Sequence, residues 1–327
     1  MRFAALFPGQ LSEKAGMGEA LAAAHPYVRS WFEEIARRTD VDLPAVFFGE
    51  GGPSLHDDLP AQVGVFAVSV AVLDVLAEEH GLEPSASAGY SLGTYAAYVG
   101  AGVLDRWAAL DVLLEAERLL RDRAPAGAMG FVIGLPEAEI AEEVARLTRD
   151  PREVSIGNVN AAQQVVLTGR REAVLRALDH LALHALKAEA LPLGWPMHSP
   201  ALAPVAAELA AYVARSVRLS WPGSAALYAP MLGRVVRSED EARQVLATQI
   251  AHPSRWSDVL LGMASAGERR FAEVGPGDLL SKMHRWTLRQ SRSDVLEDPE
   301  GIARFASRRG PLARAEGSRA SAGEEIA

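Results

Sequence analysis

Gly89-Tyr90-Ser91-Leu92-Gly93 fits the pattern G-x-S-x-G, with a short expected strand (85–88) before it and a helical pattern from Thr94 after it. That strand–turn–helix context is what a nucleophile elbow requires. Glycines let the chain turn sharply and keep Cβ atoms away from a strained serine. The serine oxygen then stands at a helix N-terminus, where the dipole and free N–H groups favour developing negative charge. An ordinary strand–helix turn is the competing reading. A serine hydroxyl is barely ionised at neutral pH, so it needs a base. Eight histidines are available. His80, His180 and His184 lie in or beside charged helical stretches and read as surface residues. His25, His56, His252 and His284 stand near turns or basic segments, whereas His198 lies in an uncharged stretch, 190–207.

Composition narrows the chemistry. The chain has no cysteine, which excludes disulfides, thiolate metal sites and a thiol nucleophile, so covalent catalysis must use another group. A net charge of −9 argues against nucleic acid or an anionic membrane as partner. With 327 residues, 49% of them hydrophobic, there is material for about two domains or one with an insertion. The apolar run at the N-terminus stops at Pro8-Gly9, too early for a secretory segment. The uncharged stretch 84–104 has the length of a membrane span, but its serines, tyrosines and glycines suit a packed strand–turn–helix better. A soluble cytoplasmic protein is expected. No metal site is supported, and Gly275-Pro276-Gly277 lacks the Lys and spacing of a phosphate loop.

Positioning these residues calls for an α/β fold. Strands at 2–7 and 85–88, a buried helix at 62–79 and a helix at 106–121 suggest a parallel sheet flanked by helices. From 127 the order becomes strand (127–135), helix (137–147), strands (154–158, 164–168), helix (171–183) and strand (186–193), a ferredoxin-like βαββαβ unit. After Trp195-Pro196 the α/β pattern returns, with helices at 201–217 and 239–250 and a strand at 270–274. The expected organisation is a discontinuous α/β-hydrolase-like domain (1–126 and 196–290) with a small inserted domain (127–195). The polar stretch 291–327 reads as a disordered tail.

Several segments together resemble the malonyl-CoA:acyl-carrier-protein transacylase family, including the acyltransferase domains of polyketide synthases. In the family's order these are Phe7-Pro8-Gly9-Gln10, Gly16-Met17-Gly18, Gln62, the elbow, and the Asn-rich pair 158–169. Pro196-Met197-His198-Ser199, Gln249 with Pro253 and Trp256, and Glu273–Gly277 complete the set. The resemblance covers about residues 3–290. It implies a Ser91 nucleophile, a His198 base, an oxyanion hole made by the N–H groups of Gln10 and Leu92, and a Gln249 carbonyl behind His198. The implied reaction is ping-pong: Ser91 takes an acyl group from a thioester, and the phosphopantetheine thiol of an acyl-carrier protein collects it. No bound cofactor is implied beyond that phosphopantetheine or CoA. Without the family, Gln10 and Gln249 read as a turn cap and a helix-end polar residue.

The chain also departs from the family. Malonyl-specific members resemble one another in a His before the nucleophile and an Arg about 25 residues after it. Here those positions hold Tyr90 and Ala116, and Thr94 replaces a usual Glu. Arg118 lies two positions on, about 200° round a helix, and faces inward only if the register shifts. An unpaired carboxylate in such a pocket is disfavoured by several kcal/mol, so a non-carboxylated acyl unit is expected. Tyr90, Ala116, Asn160, Trp195 and Met197 are the expected substrate contacts. Malonyl transfer, an editing acyl hydrolase and a non-catalytic carrier-binding module remain as alternatives. Arg152, Lys282, Arg285, Arg289 and Arg292 are candidates for docking an acidic carrier, or a solvated basic face.

Overall fold

The apolar run after Arg2 becomes β1 (Ala4–Phe7), buried at every residue. A computed structural model describes residues 2–48 and 58–308; His56 and the stretch 309–327 lie outside the described residues. The remaining strands are β2 (Ala86–Gly89), β3 (Ala128–Ile133), β4 (Val154–Ala161), β5 (Gln164–Gly169), β6 (Lys187–Ala190), β7 (Ala226–Ala229), β8 (Arg234–Val235), β9 (Ser254–Arg255), β10 (Phe271–Val274) and β11 (Ser293–Leu296). They form a six-stranded sheet, β11-β10-β1-β2-β7-β8, and a five-stranded sheet, β6-β3-β5-β4-β9.

In the larger sheet all pairings are parallel except that of β8 with β7. Leu6 is level with Ala88 and Glu273, so β1, β2 and β10 end together. The turns that follow, Pro8-Gly9-Gln10, the serine elbow and Gly275-Pro276-Gly277, therefore leave one edge, the usual place for a ligand in such a sheet. Asp58–His80 is apolar on nearly all sides and packs in the core, where 83% of its most apolar window is buried. It is the one described helix long and apolar enough to cross a membrane. Arg106–Arg123 is capped by Asp105, whose carboxylate accepts from Trp107 and Ala108.

The smaller sheet has the expected βαββαβ order, extended by β9, which pairs parallel with β4 at Asn158 and Ser254. Its side chains alternate. Val132, Val165 and Leu167 pack under the helices Glu137–Leu147 and Arg171–Leu181. The intervening Phe131, Ile133 and Val166 turn to the opposite face and line a cavity.

The expected disordered tail from 291 is corrected in its first part. Ser293–Leu296 pairs parallel with β10, and Pro299–Ser307 is a helix that buries Ile302 and Phe305. Polar composition hid these elements because each buries only a few residues. Leu296 is fully buried, and the Phe305 ring meets Phe3 edge-on at 5.2 Å.

Candidate active site

Gly89 and Gly93 are required by close approach. A Cβ on Gly93 would lie 2.2 Å from the Phe7 carbonyl oxygen, and one on Gly89 would lie 2.1 Å from Gly93. Between them Ser91 adopts a left-handed backbone, φ 52°, sparsely populated for a residue with a Cβ. The turn runs into a short 3-10 helix, Ser91–Gly93, and then into Thr94–Gly100. Leu92 N–H falls in the first turn, where no intrahelical acceptor exists.

His198 meets this serine. Its Nε2 is 2.9 Å from Ser91 Oγ, while Nδ1 is 3.1 Å from both the Gln249 and the His252 backbone oxygens. A carbonyl only accepts, so Nδ1 carries the hydrogen and Nε2 is left to accept from the serine hydroxyl. Burial lowers the imidazole pKa from its ordinary value, and the two carbonyls oppose that shift. His198 is itself held in a left-handed conformation, φ 62°. Its N–H donates to the Ile250 oxygen at 2.7 Å, and Thr168 Oγ1 donates to the neighbouring Met197 oxygen at 2.7 Å. The His252 carbonyl and Thr168 have no sequence signature. They act through the backbone path and through a strand partner.

Gln10, Tyr90, Ser91, Leu92, Ala116, Asn160, Trp195, Met197, His198 and Gln249 all line one cavity of about 370 Å³. The Gln10 side chain donates to Asp58 at 2.7 Å. Gln249 is buried, with its side chain against the Tyr95 hydroxyl. Tyr90 stacks edge-on to Trp256 at 5.6 Å, and desolvation raises its pKa, so the phenol stays neutral; its hydroxyl meets the Asn160 side chain. Ala116 is 3% exposed and faces the cavity. Arg118 points outward, exposed, and binds Glu115 at 2.8 Å and Asp122 at 3.1 Å. Arg121 is also exposed, 3.9 Å from Glu117. Among the described residues no arginine lines the cavity, and its one lysine, Lys187, is exposed beside Glu189 at 3.0 Å.

The five basic candidates separate. Arg285, Arg289 and Arg292 line a groove of about 1070 Å³ with Trp286 and Leu186, and this groove shares Ile133 and Gln164 with the cavity. Lys282 pairs with Asp278 at 2.7 Å, and Arg152 with Asp150 at 2.9 Å. Arg152 precedes β4 while Ala161, at the other end of this eight-residue strand, lines the groove.

A family model described as "Acyl transferase domain" matches residues 5–306. The chain belongs to this family. Among its relatives is the malonyl CoA-acyl carrier protein transacylase of Escherichia coli K12, 31% identical over 309 residues, covering 92% of this chain and 98% of that protein. The polyketide biosynthesis protein ThaF of Burkholderia thailandensis is 32% identical over 286 residues, which are 87% of this chain and 24% of that longer protein. Two solved structures are similar at this acyl transferase domain's full extent. The transacylase FabD of Xanthomonas oryzae has a TM-score of 0.85 at 31% identity, covering 92% of this chain and 96% of its own. A malonyl-transacylase in complex with its type II polyketide synthase acyl-carrier protein has a TM-score of 0.87 at 30% identity, covering 94% and 99%. As an acyltransferase, the protein needs what the cavity holds: a serine, a buried base and room for an acyl group.

Proposed function

We propose that the protein transfers a non-carboxylated acyl group from a CoA or carrier-protein thioester to the phosphopantetheine thiol of an acyl-carrier protein. Ser91 Oγ attacks the thioester carbonyl as His198 Nε2 takes the hydroxyl proton. The resulting oxyanion is received by the N–H groups of Leu92 and Gln10, each such donor being worth about 3–4 kcal/mol. Expulsion of the thiolate, which takes the proton back from His198, leaves acyl-Ser91. The carrier thiol then reverses these steps. The imidazolium formed in each half-reaction is offset by the Gln249 and His252 carbonyl dipoles rather than by a carboxylate.

The observation that carries the substrate reading is the outward Arg118 and the inward Ala116, which leave a carboxylate in this cavity without a guanidinium partner. The carrier reading is supported by the groove lined by Arg285, Arg289 and Arg292, which adjoins the cavity and suits an acidic partner. Lys282 and Arg152, held by their own acids, leave that role to these three. A cytoplasmic location goes with this chemistry. Malonyl transfer is the second reading, favoured by the relatives that are malonyl CoA-acyl carrier protein transacylases.

Intact-mass measurement after incubation with malonyl-CoA or with a neutral acyl-CoA of similar length separates the two. The neutral acyl group is expected on Ser91, and rapid malonyl loading would overturn the assignment. Transfer of a radiolabelled acyl group to a holo carrier, without release of free acid, separates transfer from hydrolysis.

A further inference from the structure

Glu273 belongs to the Glu-Val-Gly-Pro-Gly segment and has no part in the chemistry above. It sits on β10, fully buried, level with Leu6 on one side and Val295 on the other. Its two oxygens point to one helix, Leu279–Thr287: Oε1 accepts from Leu280 N–H at 3.0 Å and Oε2 from Ser281 N–H at 2.8 Å. Those donors lie in the first turn, where a helix has no internal acceptor. The helix does not cap itself, because Asp278 makes no side-chain cap and pairs with Lys282 instead. A carboxylate on the central sheet thus replaces a local cap and adds its charge to the positive end of the dipole.

This helix joins the two parts of the site. Leu279 and Met283 line the catalytic cavity, whereas Arg285 and Trp286 line the basic groove. At its far end the buried His284 lies tilted against Phe271, 4.6 Å between ring centres, and its Nε2 reaches Ser291 Oγ at 2.8 Å. The pitch of the helix over the sheet therefore sets where the basic face stands relative to Ser91. We propose that Glu273 is a positioning residue that orients this helix and so places the groove for productive engagement of the carrier protein. This rests on the carrier-dependent transfer proposed above.

The test uses the full chain at pH 8, since burial pushes the Glu273 carboxyl up to about 7 and the capping charge must be present. Glu273→Gln keeps the size and removes the charge and one acceptor. Acylation of Ser91 by an acyl N-acetylcysteamine thioester is expected to stay within about twofold of wild type. The KM for a holo acyl-carrier protein is expected to rise about fivefold, the equivalent of the ~1 kcal/mol typical of a helix cap, with kcat retained. Glu273→Asp, which restores the charge, recovers part of that loss, and it carries the same comparison if Glu273→Gln does not fold. An unchanged carrier KM, or equal loss of acylation and transfer, overturns the positioning role. If the wild-type protein itself transfers nothing to the carrier, the proposed function fails instead.

Discussion

At the scale of single residues, Ser91 and His198 are a pair held in unusual backbone conformations for one contact of 2.9 Å. Burial holds the His198 pKa below the ordinary histidine value, so the imidazole stays neutral as the solution is acidified past that value. The rate of Ser91 acylation is expected to be flat down through pH 6.5 and to fall only below it, as read from kcat/KM across a pH series. A midpoint above 6.5 would contradict the assignment of His198 as the base. The same shift acts on stability. Below pH 6.5 the unfolded chain takes up the proton first, so this residue's contribution is lost on acidification. The serine and its glycines were legible in the sequence because only a narrow set of residue types survives a turn where a Cβ would meet a carbonyl oxygen at 2.2 Å. His198 stood apart from the other histidines only by its uncharged stretch, and it took the resemblance to single it out as the base.

At the scale of elements, the resemblance sets Ala116 at the position of the family's carboxylate-binding Arg, and helix periodicity turns Arg118 away from it. In the structure Ala116 of Arg106–Arg123 lines the cavity and Arg118 points outward. Ala116→Arg is therefore expected to bring a guanidinium into the cavity. Without a carboxylate ligand it lowers stability, since a buried unpaired charge costs roughly 3–5 kcal/mol. With malonyl-CoA it is expected to raise loading by about tenfold relative to a neutral acyl group, as one charge-assisted pair allows. Intact mass and competition between the two thioesters check this, and unchanged selectivity would remove Ala116 as the determinant. The docking face was less legible. Lys282 and Arg285 differ by three positions on one helix, yet one is held by Asp278 and the other faces the groove. Charge alone does not tell a committed cation from an available one.

At the scale of the whole molecule, the polar stretch after Ser291 proves to close one edge of the central sheet. Removal of residues 292–308 strips away the buried Leu296, Ile302 and Phe305. Each such side chain contributes roughly 1.5–3 kcal/mol by burial, a sum comparable to the net stability of a domain. The truncated protein is expected to aggregate or to melt well below wild type in a thermal scan, and an unchanged melting temperature would contradict the closing role. Average composition conceals this segment. Its burial is spread thinly over a four-residue strand and one short helix. At the catalytic centre Nδ1 of the base finds main-chain oxygens at position 249, the one the resemblance implies, and at position 252, which leaves no mark in the sequence. A base oriented by an aspartate can be disabled by one codon change in its partner. Here every amino acid carries the required oxygen, so replacements at those two positions can alter everything about the side chains and leave the acceptors in place. Only a change in the path of the loop withdraws them. The heritable weak point of this catalytic pair thus lies in whatever shapes the loop, and alanine scanning of 249 and 252 would understate what those residues do.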